Sequence, residues 1–176
     1  GGTGDTVTGI VSALMASGME TLEAAVLSAR INRLAGASND FLTAIPAIQA
    51  DTDRMVGQLI ESGSPSPQVF AASRQLVLAD RIQRRALEIL QNTGDSTAVA
   101  AELSQEITLF EQVLYALRNG NARMGITPVR NPQASSSLNQ VRRQYEAVKP
   151  QLEVILDASQ NLLDIRQAAD RIFSES

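Results

Sequence analysis

The sequence predicts an all-α protein: an elongated antiparallel helical bundle, four-helix-bundle-like, with a long first helix kinked at Pro46. Three observations predict it. Leu, Ala, Gln and Arg are plentiful while aromatic residues make up only 3% and Trp is absent. Straight-chain residues and Ala lose little rotamer freedom in helices, whereas sheets favour β-branched and aromatic side chains. Apolar residues also recur at alternating spacings of four and three. Finally, Gly, Pro and Asn cluster at only a few points, and these divide the chain into long segments.

The first long segment carries Leu27, Ile31, Leu34, Ser38, Phe41, Ile45, Ile48, Thr52, Met55 and Leu59. This seam repeats every 3.5 residues, as expected of long helices packed almost parallel. Pro46 lies inside it. Proline removes a backbone hydrogen bond and crowds the preceding turn, so a break is the default expectation. A loop would reset the apolar phase, and the phase is the same on both sides of Pro46. One kinked helix from Met19 to about Glu61, roughly 65 Å long, is therefore expected.

Ahead of it, Val7, Ile10 and Leu14 outline a short amphipathic segment. Ser17 and Gly18 either separate the two helices, with Ser17 as N-cap, or lie within one continuous helix. Residues 1–18 are read as a helical lead-in and 19–176 as the bundle module. Gly1 and Gly2 are consistent with a cloning remnant.

Gly63-Ser64-Pro65-Ser66-Pro67 reads as a helix stop, a turn and a restart, with Ser66 as N-cap. The next helix is expected to bury Val69, Ala72, Leu76, Ala79, Ala86 and Leu90. It ends at Asn92-Thr93-Gly94, where Asp95 can cap its successor. That successor carries Val99, Leu103, Ile107, Phe110, Leu114 and Leu117 and closes at Asn119-Gly120-Asn121. Residues 122–131 form a connection placed to fold back over the bundle end. Asn131-Pro132 starts the last helix, with Leu138, Val141, Tyr145, Val148, Leu152 and Ile155 in phase through Pro150.

Composition excludes much chemistry. The chain has no Cys and no His, so thiolate nucleophiles, disulfides, zinc–thiolate sites and imidazole bases are ruled out. Carboxylate pairs such as Asp51 and Asp53 do not share a helix face and read as solvated surface. No enzymatic activity, metal or other cofactor is expected. Net charge is −4 with Arg scattered among carboxylates, so nucleic acid is not an expected partner. The longest uncharged stretch, Thr6 to Met19, is shorter than the roughly 20 apolar residues of a membrane span.

Two groups of residues are candidates for contacting a partner or ligand. Gln75 and Arg81 could line a pocket between helices, although Arg81, Arg84 and Arg85 also read as an ordinary basic helix face. Asn119, Asn121 and Arg123 sit in the loop at one bundle end, beside Met124 and Ile126.

Several strings carry a resemblance. Leu114-Tyr115-Ala116-Leu117-Arg118-Asn119-Gly120-Asn121-Ala122-Arg123-Met124-Gly125-Ile126 resembles the helix-end signature of type IV pilus methyl-accepting chemotaxis transducers, the PilJ family. Ile155-Leu156-Asp157-Ala158-Ser159, with Ile165 to Ala169 and Ile172-Phe173, is similar to the family segment before its second transmembrane helix. Leu34-Ala35, Thr43 to Pro46 and Val69 to Ile82 follow the pattern too, so the resemblance covers residues 20–176. The family's Gln-Arg-Met-Leu-Ser-Gln-Arg-Ile motif is matched at Gln75, Leu78, Arg81 and Ile82. It is departed from at Leu76, Val77, Ala79 and Asp80.

This resemblance implies the membrane-proximal module of a periplasmic sensor region, belonging to an inner-membrane receptor. It implies transmembrane helices, a HAMP-type relay and a kinase-controlling hairpin outside this chain, with membrane contact only through such segments. It further implies an output in twitching motility and surface sensing. Pilin or another pilus-associated protein is the implied partner, and a homodimer of the full-length receptor is allowed. Two other readings stand beside it: a small-molecule-binding chemoreceptor domain, and a soluble structural or adaptor bundle. Apolar spans encoded outside both ends of the chain would separate the last of these from the others.

Overall fold

In the computed structural model the described residues are 21–91 and 96–174, together with Gly9 and Ser12, and four long helices account for most of them. They are α1 (Thr21–Glu61), α2 (Ser66–Gln91), α3 (Ser96–Asn119) and α4 (Pro132–Ser174). The fold is an all-α helical bundle. Neighbours in sequence are neighbours in space, and α4 closes the ring by packing along α1. The expected boundary at Ser17-Gly18 and the stop at residues 92–95 lie outside the described residues, as does most of the lead-in.

Neither interior proline ends its helix. Both Pro46 and Pro150 are exposed, so the ring points to water and each carbonyl it leaves unpaired can be hydrated. The α1 seam is buried from Phe41 through Ile45, Ile48, Thr52, Met55 and Leu59. From Leu27 to Ser38 the same positions are only half-buried. Folding back from the turn at 62–65, the 26 residues of α2 cannot accompany all 41 residues of α1. The first turns of α1 therefore have fewer neighbours.

The stripes expected on α3 and α4 are buried, except that Val99 is half-buried. On α2 the buried face is rotated from the expected one. Val69, Leu76 and Leu90 are half-buried, while Gln68, Ala71, Gln75, Leu78, Ile82 and Ile89 face inward beside Ala72, Ala79 and Ala86. The heptad column is Gln68-Gln75-Ile82-Ile89, and its first two members are polar, which hid it.

Asp51 departs from its expected place at the solvated surface. It is buried, lies 2.6 Å from the Arg54 guanidinium and accepts a 2.8 Å hydrogen bond from the Gln144 amide. Asp53 is exposed.

A candidate partner surface at one end of the bundle

Two connections meet at this end. The first closes α1 with a Schellman turn: Ser64 N–H donates to Leu59 O, Gly63 N–H donates to Ile60 O, and Gly63 has φ +66°. The Pro65 carbonyl then accepts from Gln68 and Val69 N–H. The start of α2 is thus at Ser66, one residue earlier than a Ser66 cap would place it.

The second connection leaves α3 through Gly120, φ +85°, and doubles back. Asn121 and Ile126 exchange both backbone hydrogen bonds, Gly125 takes φ +67°, and Val129 N–H donates to Leu117 O. Ile126 and Val129 are buried in the common core, so the loop folds over the bundle end. The Gln68 amide fastens the two connections together, lying 2.8 Å from Thr127 O, 3.0 Å from Thr127 Oγ1 and 3.1 Å from Pro128 O.

Asn119 is the last residue of α3, and Asn121 and Arg123 follow it in the loop. Two local bonds engage part of their hydrogen-bonding capacity: the Asn119 amide donates to Tyr115 O, and Asn121 Oδ1 accepts from Met124 N–H. Arg123 is exposed.

Gln75 and Arg81 are not brought together. Gln75 is 0% exposed, and its amide donates to Phe110 O at 3.0 Å while Oε1 finds no partner. Arg81 is exposed. Its neighbours Arg84 and Arg85 are ion-paired, Arg84 with Asp80 and Arg85 with Glu88 and Glu102. Burial raises the Glu106 carboxyl above its ordinary value despite Arg85 and Arg81 nearby, with Glu102 and Glu88 adding to the rise. Of the four motif positions this chain shares, Gln75, Leu78 and Ile82 face the core, and packing accounts for them.

A feature that the periodicity did not reveal lies beside the loop. Phe70, Arg74 and Pro67 of α2, Val113 of α3, and Met124 and Ile126 of the loop line a groove of about 480 Å³. Phe70 is 70% exposed. It lies off the buried face of α2, and an aromatic residue out of phase was the available signal.

Across the bundle, α3 and α4 are tied through Glu111. It accepts from the Tyr145 hydroxyl at 2.7 Å and pairs with Lys149 at 2.8 Å. Burial pushes the Glu111 carboxyl up, but hydrogen bonds from Lys149 and Tyr145, with the Lys149 charge, outweigh it and hold it below its ordinary value. Burial and the same carboxylate push the Tyr145 phenol well up.

Residues 58–171 match the family model of the type IV pili methyl-accepting chemotaxis transducer N-terminal region. The strings from Leu34 to Pro46 lie outside that match. The chain is 36% identical over 132 residues to protein PilJ of Pseudomonas aeruginosa, covering 75% of this chain and 19% of that protein. It is 32% identical over 134 residues to AlkN of Alcanivorax borkumensis, whose name assigns it to methyl-accepting chemotaxis, covering 75% and 20% respectively. The chain thus spans about a fifth of the length of these curated relatives. No described helix is long and apolar enough to cross a membrane. By the extent of the model match and the identity to PilJ, the chain belongs to the family of type IV pili methyl-accepting chemotaxis transducer N-terminal regions.

Proposed function

We propose that this chain is a periplasmic signal-input module of an inner-membrane transducer, and that it takes its input from a pilus protein at the bundle end. Pilin is the partner proposed, and the output is control of twitching motility and surface sensing. The observation that carries the reading is the groove at Phe70, in a chain of this family. A large aromatic side chain stands 70% exposed there, in a groove it lines together with Met124 and the cation Arg74. Exposed apolar side chains rimmed by polar groups are typical of protein-contact sites.

Transmission would follow α1 and α4, which run from this end to the opposite one. Packed helices can shift or rotate by small amounts, and repeating contacts accommodate such sliding. The alternative pocket at Gln75 and Arg81 has less support, because the Gln75 carboxamide is enclosed by the core.

Titration of the folded chain with soluble pilin tests the proposal. Saturable binding is expected, weakened roughly tenfold or more by Phe70→Asp and less by Arg123→Ala. Absence of binding at high micromolar pilin, or binding indifferent to Phe70→Asp, would count against it.

A further inference from the structure

We infer a second binding site on the α3–α4 face, a groove for a small polyanion. Its wall is built from Arg118 at the end of α3, Arg130 just before α4, and Arg142 and Arg143 within α4. Ser135 and Asn139 complete a largely polar lining around about 470 Å³. Small-molecule clefts typically span roughly 300–1,000 Å³, and this groove falls within that range.

The charge is locally out of character. The chain as a whole carries −4, yet four Arg side chains line this one groove. Arg142 pairs with Glu146 at 3.0 Å, and Arg143 donates to the neutral Gln140 side chain. Among the described residues Arg118 and Arg130 have neither an ion pair nor a hydrogen-bond partner. Arg142 Nε is shielded from water and also without a partner. Among the described residues no carboxylate lines the groove itself, and guanidinium donor forks match the paired oxygens of carboxylates and phosphates. The N-terminal end of α4 adds a positive dipole on the same side, although Asn131 Oδ1 already caps the Ala134 N–H.

The number of donors selects the ligand class. Four guanidinium groups line the groove, more donors than one small anion can satisfy. A molecule bearing two or more phosphoryl or carboxylate groups can. This site is separate from the groove at Phe70, which lies between α2, α3 and the loop, and it stands or falls independently of pilin binding.

Calorimetric titration of the folded chain at low ionic strength, with pyrophosphate and separately with citrate, tests it. Saturable binding of at least one is expected, weakening as salt is added. Binding of pyrophosphate alone assigns phosphoryl chemistry, and binding of citrate alone assigns carboxylates; either upholds the site. Arg118→Gln and Arg130→Gln should each weaken binding about tenfold. Both residues are exposed and unpaired, so melting curves should be unchanged. Arg84→Gln, which lies elsewhere, should leave the affinity intact. The inference is overturned if neither probe saturates up to about 10 mM, a free energy too weak for a built site. It is equally overturned if the two Arg variants bind as the parent does, or if orthophosphate binds as tightly as pyrophosphate.

Discussion

The Gln144 amide donates to Asp51 across the α1–α4 interface at 2.8 Å. Seven residues along each helix, in opposite directions, the Ser137 hydroxyl donates to Gln58 at 2.7 Å. The two bonds show an antiparallel register held without slip over a full heptad. The same register, continued five residues from Asp51 to Pro46, reaches Lys149, the neighbour of Pro150. The two interior prolines therefore stand at one level of the paired helices. Each removes an intrahelical bond there, to the carbonyl of Leu42 or Glu146.

Replacing these prolines should restore both bonds. Pro46→Ala and Pro150→Ala are each expected to stabilise the fold by about 1–3 kcal/mol, because both rings are exposed and leave no cavity. Thermal melts check this. A destabilised variant would mean that the ring makes a contact absent from the described packing.

Gln75 and Phe110 separate two kinds of core residue. Phe110→Ala should cost about 3–5 kcal/mol, since Phe110 is buried and its ring packs at a tilt with its centroid 5.0 Å from that of Tyr145. Gln75→Leu should be neutral, or stabilising by up to about 1 kcal/mol, because it removes a buried carbonyl with no partner. Urea titrations would read both. A large loss for Gln75→Leu would show that its bond to Phe110 O outweighs the orphaned oxygen.

Glu111 makes stability depend on acid. Its carboxyl is held below the ordinary 4.5, so the folded state favours the ionised form. The stability this contributes is present above 4.5, the value expected of the unfolded chain, and is lost as pH falls through the lower folded value. The difference in melting temperature between the parent and Glu111→Gln should therefore shrink on going from pH 6 to strongly acidic solution. A difference independent of pH would contradict the linkage.

Two glycines should respond with opposite signs. Gly120 has φ +85°, and an added Cβ would sit 3.0 Å from Pro128 Cδ. Gly120→Ala should destabilise by about 1–3 kcal/mol. At Gly57, within α1, an added Cβ meets nothing within 4 Å. Gly57→Ala should stabilise by about 0.4–1 kcal/mol. Differential scanning calorimetry of the two variants gives the comparison.

Most of the helical frame was legible because α1, α3 and α4 place apolar residues at unbroken three–four spacing. Phase carried more information than proline, and so α1 and α4 were read as continuous. The buried face of α2 was read a step out of rotation because Gln68 and Gln75 occupy core positions, and pattern reading prefers Leu76 and Leu90. Asp51 was misplaced for a related reason: its partner Gln144 lies 93 residues away, and only the folded register brings them together. The bundle-end loop could be seen from Gly120 and Pro128. The groove at Phe70 could not, because it needs α2, α3 and the loop assembled. The arginine groove likewise joins residues from two helices and a connection.

Hydrogen exchange of the folded chain with and without soluble pilin tests the central claim most directly, because it reads location as well as binding. Protection is expected in residues 62–74 and 119–129, the two connections fastened by Gln68 and lined by Phe70 and Met124. Unchanged exchange in both segments at saturating pilin, or protection confined to the middle of the bundle, would contradict a partner site at this end.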